Sequence, residues 1–403
     1  MVPYLRAANV KDGRLDLSDV KEMNFGPAEQ AVFSLRRGDV LVTEGSGSLG
    51  AVGASATWNG EFDGTVCLQN TLLRFRPRPS TDPRFLAWWC RHAFADGLFA
   101  SIATGANIFH LSAERVRALP MAHLQLPHQR AIADFLDTEI ARIDALIAKK
   151  RRMVALLGEE VRQARRSALT AGIEGLVGRH VGPPVVRPAA DWVRRRLSTL
   201  VETPQGGVWG EAPGESDYNV ACMRVADFDR WSATASSQDP TIRSIRSQQL
   251  DRLRLEPGDL LLEKSGGSEK QPVGFVARFV DLSLDTPTVC SNFVARLRPR
   301  RDVDAEYLSH LFAAIYDARL NVPYVKQTTG IQNLDVEAFL AQDWAIPARD
   351  QQRRIATELA ALFEHLTHGR GLLKRQVDLL AEHRQALITA AVTGELDVPG
   401  VAA

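Results

Sequence analysis

Residues 126–172 decide the fold, and they read LPHQRAIADFLDTEIARIDALIAKKRRMVALLGEEVRQARRSALTAG. Pro127 suits the first turn of a helix, where its missing N–H would have no partner anyway. Large apolar residues then recur at alternating steps of three and four, which is the heptad pattern of a coiled coil. Lys150 interrupts this apolar seam, and the glycines from Gly172 onward predict the end of the helix. The seam residues are Leu136, Ile140, Ile143, Ile147, Val154, Leu157 and Val161.

A second stretch near the C-terminus repeats the pattern. Gly369 and Gln376 interrupt it, and we expect a bend near Gly369. Each helix spans roughly 40 residues, or ~60 Å, and a single helix of this kind cannot bury its apolar stripe alone. We therefore expect the two helices to pack as an antiparallel coiled coil; the alternative is that each packs on its own domain. The second seam consists of Ile355, Leu359, Leu362, Leu366, Leu373, Leu380 and Leu387.

The whole chain repeats itself with a period of roughly 220 residues. The segment that begins at Arg6 recurs at Arg224, and LRRGDVL (residues 35–41) recurs as LEPGDLL (residues 255–261). Asn70 matches Asn292, and the matches keep the same order through both halves. The period is too long for a solenoid, so the pattern indicates two copies of one module related by pseudo-two-fold symmetry. The alternative is chance similarity between common turns.

Each copy opens with a globular part that mixes strands and helices. Residues 39–43 and 71–75 predict strands, as do residues 259–262 and 292–297, and each pair precedes a helix at residues 83–94 or 305–320. This mixture indicates an α+β fold with a curved or barrel-like sheet. The predicted segments are a first globular domain (1–125), a first helix (126–172), a linker (173–190), a second globular domain (191–346), a second helix (347–394) and a tail (395–403).

Composition narrows the class of protein. The chain has 403 residues, 45% of them hydrophobic and 24% charged, as is ordinary for globular domains. Its net charge of +1 excludes a uniformly basic coat, so any DNA-binding surface must come from local clusters of Arg and Lys. The four cysteines form no C-x-x-C pair, and neither a signal peptide nor a membrane span is recognisable. We expect buried free thiols and a cytoplasmic protein.

Several stretches of the sequence resemble a known protein family. The stretch LPHQRAIADFLD (residues 126–137) and the helix end RSALT (residues 166–170) resemble the helical region of Type I restriction–modification specificity subunits. The closing stretch HRQALITAAVTG (residues 383–394) is similar to the terminal motif of that family. The pairs Thr104-Gly105 and Thr329-Gly330 lie where the family often has a Thr-Gly turn. The resemblance covers nearly the whole chain.

The resemblance implies a subunit that recognises DNA and is not an enzyme. Each globular domain would be a target-recognition domain that reads one half of a bipartite sequence, and the paired helices would fix the gap between the halves. The helices would also dock methyltransferase subunits, and a translocase–nuclease subunit would complete the restriction complex. S-adenosylmethionine, ATP and Mg would belong to these partners, with no cofactor in this chain.

One departure concerns the first domain. Residues 191–221, which open the second domain, have no counterpart at the start of the chain. The first domain is therefore expected to be N-terminally shortened, because a start site is misplaced, because the chain is truncated, or because this domain dispenses with an edge element.

Polar residues in corresponding loops are the candidates for DNA contact. Arg and Lys would bind phosphates, whereas Asn, Gln, Ser and Arg would read base edges. An ordinary solvated loop residue is the alternative for each. The first-domain candidates are Arg6, Asn9, Ser46, Ser48, Asn70, Thr104, Asn107 and His110. The second-domain candidates are Arg224, Asp227, Lys264, Ser265, Ser268, Lys270, Asn292, Lys326, Gln327, Thr329, Gln332 and Asn333.

Other functions have weaker support in the sequence. The loop Gly45–Gly50 fits G-x-G-x-x-G, but a dinucleotide site needs a helix directly afterwards and the following residues are β-type. No P-loop and no metal-ligand set is recognisable, and Trp88 and Trp89 are expected in a core. The alternatives that stay open are a coiled-coil adaptor for protein partners, an enzyme that uses the Gly45–Gly50 loop, and the specificity subunit of a related defence system.

Overall fold

The computed structural model describes residues 1–171, 191–280, 286–327 and 330–398. The chain forms two compact units: residues 1–152 with 373–403 make the first, and residues 153–372 make the second. The predicted linker at residues 173–190 and the candidate Thr329 lie outside the described residues.

Among its described residues, the first unit contains ten short strands and four short α-helices. The strands are β1 (Val2–Leu5), β2 (Val10–Lys11), β3 (Arg14–Leu15), β4 (Lys21–Met23), β5 (Val40–Thr43), β6 (Gly45–Ser46), β7 (Ser55–Thr57), β8 (Cys67–Leu68), β9 (Leu72–Phe75) and β10 (Phe109–His110). The helices are α1 (Pro27–Phe33), α2 (Pro83–Ala95), α3 (Leu98–Ile102) and α4 (Ala113–Arg117), and the long helix α5 (Leu126–Ala171) follows them.

Strand β5 is the centre of the first unit. All four of its residues are buried, and it lies between β7 and β9 in an antiparallel sheet, with Val40 opposite both Thr57 and Phe75. A second sheet has the order β4-β1-β8, in which β1 is antiparallel to β4 and parallel to β8. Helix α2 starts where the Asp82 carboxylate accepts hydrogen bonds from two backbone N–H groups, a stabilising N-cap.

The second unit also combines strands with short helices and has more strands among its described residues than the first. Its strands are β11 (Val193–Arg196), β12 (Gln205–Gly206), β13 (Tyr218–Met223), β14 (Phe228–Asp229), β15 (Thr234–Ala235), β16 (Thr241–Ile245), β17 (Leu260–Glu263), β18 (Ser265–Gly266), β19 (Val276–Phe279), β20 (Thr288–Cys290), β21 (Val294–Leu297), β22 (Val325–Gln327), β23 (Gln332–Leu334) and β24 (Asp343–Ile346). Its helices are α6 (Ser247–Leu253), α7 (Ala305–Asp317) and α8 (Val336–Leu340), and the long helix α9 (Arg349–Thr393) follows.

The sheets of the second unit follow the same strand order as those of the first. The order β16-β13-β20 again combines one antiparallel and one parallel neighbour, and β17 lies between β19 and β21 as β5 lies between β7 and β9. The second unit adds a two-stranded sheet of β11 and β24. Among the described residues of the first unit, the segment 120–125 before α5 belongs to no strand.

The long helices pack against each other inside the first unit. Leu136, Ile140 and Ile143 share one apolar cluster with Ile388 and Val392. The Arg384 Nε donates to Asp144 Oδ1 at 2.8 Å, and the Lys150 Nζ donates to Gln376 Oε1 at 2.7 Å. Because the partner number falls as the α5 number rises, the two helices run antiparallel here. The two polar residues that interrupt the predicted seams are therefore each other's partners.

The helices also share a core in the second unit. Val161 and Leu157 of α5 cluster with Ile355, Leu359 and Leu366 of α9. Val154 and Leu373, which complete the predicted seams, are half-buried. Helix α9 continues through Gly369 without a break, since its hydrogen-bonded turns extend from Arg349 to Thr393.

A buried ionic group joins α5 to the rest of the second unit. Arg165 is 2% exposed, and its Nη2 donates to the Trp231 carbonyl at 2.6 Å. Its guanidinium lies 3.7 Å from the Asp317 carboxylate and 4.7 Å from the centre of the Phe363 ring. Burial lowers the pKa of Arg165 to about 10, and Asp317 opposes that shift. The indole N–H of Trp231 donates to Thr367 Oγ1 at 2.7 Å, so one hairpin residue contacts both long helices.

The sixth residue of α7, His310, is buried beside this group. Neither ring nitrogen has a hydrogen-bond partner, and the ring lies 5.1 Å from that of Phe363. Burial lowers the pKa of His310 well below its usual value, and the positive charges of Arg165 and Arg278 act in the same direction. His310 is therefore neutral at neutral pH.

The sixth residue of α2, Trp88, holds the corresponding place in the first unit. Trp88 and Trp89 are 7% and 6% exposed, which confirms the prediction that they fill a core. The Trp88 indole N–H donates to Asp137 Oδ1 at 2.9 Å. All four cysteines are buried and free, as expected.

Candidate nucleic-acid interface

Three strands of the second unit bring the predicted DNA-contact residues together. Strand β23 lies between β18 and β22, so Asn333 faces both Ser265 and Lys326, and Gln327 faces Gln332. The Ser265 hydroxyl donates to Asn333 Oδ1 at 2.6 Å. Lys264 precedes β18 directly. We call residues 264–266, 325–327 and 332–333 the second-unit tip.

Individual side chains of the second-unit tip differ in their availability. The Lys326 ammonium is exposed but pairs with Asp335 at 2.7 Å. Gln332 is 7% exposed, and its Oε1 accepts from the backbone N–H of Val273 at 3.3 Å. Ser268 and Lys270, in the loop after β18, are exposed, whereas Lys264 is half-buried. Lysines in exposed loops are suited to phosphate contact.

The candidate pair Arg224 and Asp227 closes a turn. The Asp227 Oδ2 accepts from the Arg224 backbone N–H at 2.8 Å, and the two side chains form an ion pair at 3.3 Å. The first unit has the same turn, in which Asn9 Oδ1 accepts from the Arg6 N–H at 3.1 Å. Asn9 is 2% exposed and its amide also donates to two carbonyls. Asn9 and Asp227 therefore stabilise turns, which is sufficient reason for them to match in sequence.

The first unit has a smaller counterpart of the second-unit tip. Strand β10 pairs with β6, so His110 lies opposite Gly45 and Phe109 opposite Ser46. Thr104 and His110 exchange backbone hydrogen bonds at 2.8 and 3.0 Å. The structure therefore brings Ser46, Thr104 and His110 together, with the exposed residues Ser48 and Asn107 in the adjoining loops. Asn70 is exposed in a separate loop between β8 and β9. No lysine or arginine belongs to these described segments.

The loop Gly45–Gly50 does not form a dinucleotide site. Its first two residues are β6, and a single 3-10 turn, Leu49–Ala51, follows it instead of an α-helix. Its N-H groups therefore do not converge at a helix N-terminus, as phosphate binding by this motif requires. Within the described ranges, no group of three or more His, Cys, Asp or Glu residues could hold a metal ion. The same residues contain no helix long and apolar enough to span a membrane.

A pocket of about 430 Å³ lies beside the second-unit tip. Two of its residues, Trp209 and Phe293, are large aromatic side chains that are 40% and 46% exposed. The Phe293 carbonyl accepts hydrogen bonds from the backbone N–H groups of Lys264 and Ser265, at 2.9 and 3.2 Å, which joins the pocket to the tip. The other lining residues are Arg224, Val225, Ala226, Ser291 and Asn292.

Sequence reasoning missed both aromatic residues of this pocket. Phe293 lies inside a stretch predicted as a strand, and Trp209 lies in the segment QGGVWGEAPG (residues 205–214) that has no counterpart in the first copy. An aromatic residue among glycines, without apolar periodicity around it, is a weak signal for an exposed ring. Arg224 and Asn292 were among the predicted contacts, and the structure places them at the same pocket.

A larger polar pocket, about 480 Å³, lies in the first unit. Arg14, Arg84 and Arg91 line it together with Trp88 and Asp137. The Arg91 guanidinium stacks 4.5 Å from the Trp88 ring centre, and Arg84 binds Asp134 at 2.6 Å. Burial raises the pKa of the nearby Asp12, against the effect of Arg91. Arg84 and Arg91 are thus largely committed to contacts within the unit.

Comparisons with known proteins cover the chain from end to end. It is 21% identical over 405 residues to the Type I restriction enzyme StySPI specificity subunit of Salmonella potsdam, across 98% of this chain and 82% of the relative. It is also 21% identical over 402 residues to the EcoKI specificity subunit of Escherichia coli strain K12, with the same coverage. No protein-family model matches the chain.

Two solved structures share the fold. One, described as the structural basis of complex assembly and conformational transition of the type I R-M system, has a TM-score of 0.67 at 18% identity and covers 98% of this chain and 92% of its own. The HsdS subunit from Thermoanaerobacter tengcongensis has a TM-score of 0.50 at 18% identity and covers 98% and 91%. The likeness shows a mixed helix-and-strand fold. Over nearly its whole length the chain is similar to Type I restriction–modification specificity subunits.

Proposed function

We propose that this chain is the DNA-recognition subunit of a Type I restriction–modification complex and has no catalytic activity of its own. One observation carries the proposal: the likeness to two curated specificity subunits extends over 98% of the chain and 82% of each relative. A likeness confined to the helices would suit a general coiled-coil adaptor equally well. The likeness to the two relatives also includes the globular parts that are proposed to recognise DNA.

The finer proposal is that two target-recognition domains, residues 1–125 and 191–346, each read one half of a split sequence. The internal repeat supports it, because both units use the same strand order around a fully buried central strand. The remaining segments are the helices at 126–172 and 347–394, the linker at 173–190 and the tail at 395–403. Two weak readers gain affinity together only when both can engage at once.

The long helices are proposed to form an antiparallel coiled coil that sets the gap between the half-sites. The ion pair of Arg384 with Asp144 and the hydrogen bond of Lys150 with Gln376 support this register. A stiff helix pair fixes spacing better than a flexible linker, whose end-to-end distance fluctuates. A polar pair within an apolar seam also disfavours other registers, at some loss of stability.

Direct DNA contact is proposed for candidates of both units that are exposed or half-buried. Lys264 and Lys270 would bind phosphates, and Asn333, Gln327 and Ser265 would read base edges. In the first unit, Ser46, Ser48, Asn70, Thr104, Asn107 and His110 would act in the same way. Arg6, Asn9, Asp227 and Gln332 are better explained by their local contacts.

The proposed partners are double-stranded DNA, methyltransferase subunits and a translocase–nuclease subunit. S-adenosylmethionine, ATP and Mg would be bound by those partners, and the complex would act in the cytoplasm. The Type I system is preferred to a related defence system because both curated relatives are Type I subunits.

Selection from a random duplex pool tests this function. The chain, purified in complex with a Type I methyltransferase subunit, should enrich duplexes that share two short motifs at a fixed separation. The methyltransferase subunit alone is the control and should enrich none. A pool that stays random with the complex would contradict DNA recognition and favour the protein adaptor.

A further inference from the structure

Trp209 and Phe293 form an exposed aromatic pair that the core does not explain. The residue after Phe293, Val294, is completely buried, whereas the Phe293 ring is 46% exposed. Both rings line one concave pocket together with Val225 and Ala226. Clustered exposed apolar groups in a concave site are typical of ligand binding rather than of ordinary surface.

The Trp209 side chain is held firmly. Its backbone carbonyl accepts from Arg243 Nε at 3.2 Å, the Gly210 carbonyl accepts from Arg243 Nη2 at 3.0 Å, and the guanidinium lies 4.9 Å from the indole centre. Gly207 approaches the Cys290 and Ser291 carbonyls so closely that a Cβ would lie 2.2 and 2.3 Å from them. Gly207 therefore allows the loop to pack closely against the sheet. Arg243 contacts the Trp209 ring and the loop backbone, so the ring is held in place without a ligand.

Polar groups and positive charge surround the aromatic walls. The Asn292 side chain is exposed at the pocket and offers both donors and an acceptor, as reading the edge of a base requires. Arg224 has a 40% exposed side chain and Arg243 stacks on Trp209. The Lys264 ammonium lies beside Gly206, three residues before Trp209. The carboxylate of Asp227 faces Arg224 and is only 7% exposed.

We propose that this pocket receives a single base of the target DNA that has left the helical stack. A planar ring with apolar faces and a polar edge fits aromatic walls with amide and guanidinium groups at the rim. The volume of about 430 Å³ exceeds what one methyl group in an intact groove would fill. The inference rests on the proposed function, because it assigns one base of the second half-site to this pocket.

A protein side chain is the competing occupant. The positive groups Arg224, Arg243 and Lys264 favour a nucleic acid, since phosphates flank every base. The backbone hydrogen bonds from Lys264 and Ser265 to Phe293 also make the pocket continuous with the second-unit tip. A partner protein would need acidic groups at the same places to match this rim.

Mismatch scanning tests the proposal directly. The complex with the methyltransferase subunit is titrated with the selected duplex, in which one base pair at a time across the second half-site is replaced by a mismatch. A mismatch at the pocketed base removes the need to break its pair, so binding there should tighten roughly tenfold. Trp209→Ala and Phe293→Ala should each abolish the gain, and Trp209→Phe should restore part of it. Tyr218→Ala is the control, because Tyr218 is 48% exposed in the same unit and does not line the pocket.

The outcomes distinguish a failure of the pocket proposal from a failure of the proposed function. If the parent prefers its target over random DNA but no mismatch tightens binding, or the gain survives Trp209→Ala, the pocket proposal is wrong and the proposed function stands. If the parent shows no preference for any sequence, both are wrong. If Trp209→Ala leaves DNA affinity unchanged and weakens methyltransferase binding, the pocket holds a protein side chain instead.

Discussion

The two units share the strand order around their central strand but differ in the residues that pack against the long helices. In the first unit Trp88 packs against α5, and its indole N–H donates a hydrogen bond to the Asp137 carboxylate. The second has His310 in that place and adds Arg165, buried among Asp317, Phe363 and the Trp231 carbonyl. One sheet plan therefore tolerates both an apolar and an ionic junction, and the ionic junction should be the more fragile.

The largest expected effect comes from removing the buried guanidinium. Arg165→Ala leaves the Trp231 carbonyl and Asp317 without their partner and opens a cavity, so the second unit should lose about 3–5 kcal/mol of stability. Urea unfolding followed by pulse hydrogen exchange on peptides from residues 191–280 measures it. Arg162→Ala is the control on the same helix, since the half-buried Arg162 forms its ion pair with the exposed Glu159, and it should cost less than about 1 kcal/mol. Equal effects of the two substitutions would refute the fragile junction.

Acid should destabilise the second unit through His310. Its pKa is lowered in the folded chain by burial, so below about pH 6.5 the unfolded chain binds a proton that the folded one does not. Stability from this group is complete above that pH and falls by about 1.4 kcal/mol per pH unit below it.

The same exchange measurement, on peptides from residues 305–317 at a series of pH values, tests the acid effect. His310→Leu should flatten the profile, whereas His365→Gln, at an exposed position, should leave it unchanged. In peptides from residues 83–95, which belong to the first unit, the profile should not change on His310→Leu. A profile that is the same with and without His310 would contradict the assignment.

The two units differ in charge at their candidate DNA-contact loops, because Lys264 directly follows β17 where Glu44 directly follows β5, and Lys270 lies in the loop after β18. Replacing both lysines by Gln should weaken binding roughly tenfold and reduce the slope of log affinity against log salt by about 1.8. Titration at several salt concentrations gives both numbers. Lys11→Gln with Lys21→Gln removes the same charge from the first unit and should leave discrimination at the second half-site intact. Unchanged affinity of the Lys264 and Lys270 variant at matched salt would disprove the phosphate contacts.

The smallest effect concerns the hairpin of β14 and β15 in the second unit, whose Trp231 contacts both long helices. Trp231→Phe keeps a ring for Arg370 to stack on, now 4.3 Å away, but loses the hydrogen bond to Thr367. The free energy of unfolding should fall by about 1 kcal/mol. In a double-mutant cycle with Thr367→Val, the second substitution should add little to the first. Fully additive losses would mean that the hydrogen bond contributes nothing.

Local pattern accounts for most of the elements. Buried β-branched and leucine runs mark β5 and β17, and an aspartate N-cap marks the start of α2 and α7. The heptad spacing predicted both long helices within a few residues, since an apolar stripe repeats along one chain segment. These features depend on neighbours in sequence, which is why they could be predicted.

Features that depend on distant partners could not be predicted. Lys150 and Gln376 each interrupt a seam, and only the antiparallel register shows that they bind each other. Asn9 and Asp227 resembled DNA contacts because they are polar and matched, yet both close turns. Trp209 and Phe293 come together only because β12 pairs with β21, so no local sequence pattern predicts their pocket.

Methylome sequencing tests the central claim most directly. A host without Type I systems would express a Type I methyltransferase subunit with this chain or without it. We expect methylation of one split motif, with a fixed gap between its halves, only when the chain is present. Methylation that is independent of the chain, or a chain-dependent motif that is continuous, would contradict two recognition units held apart by a pair of helices.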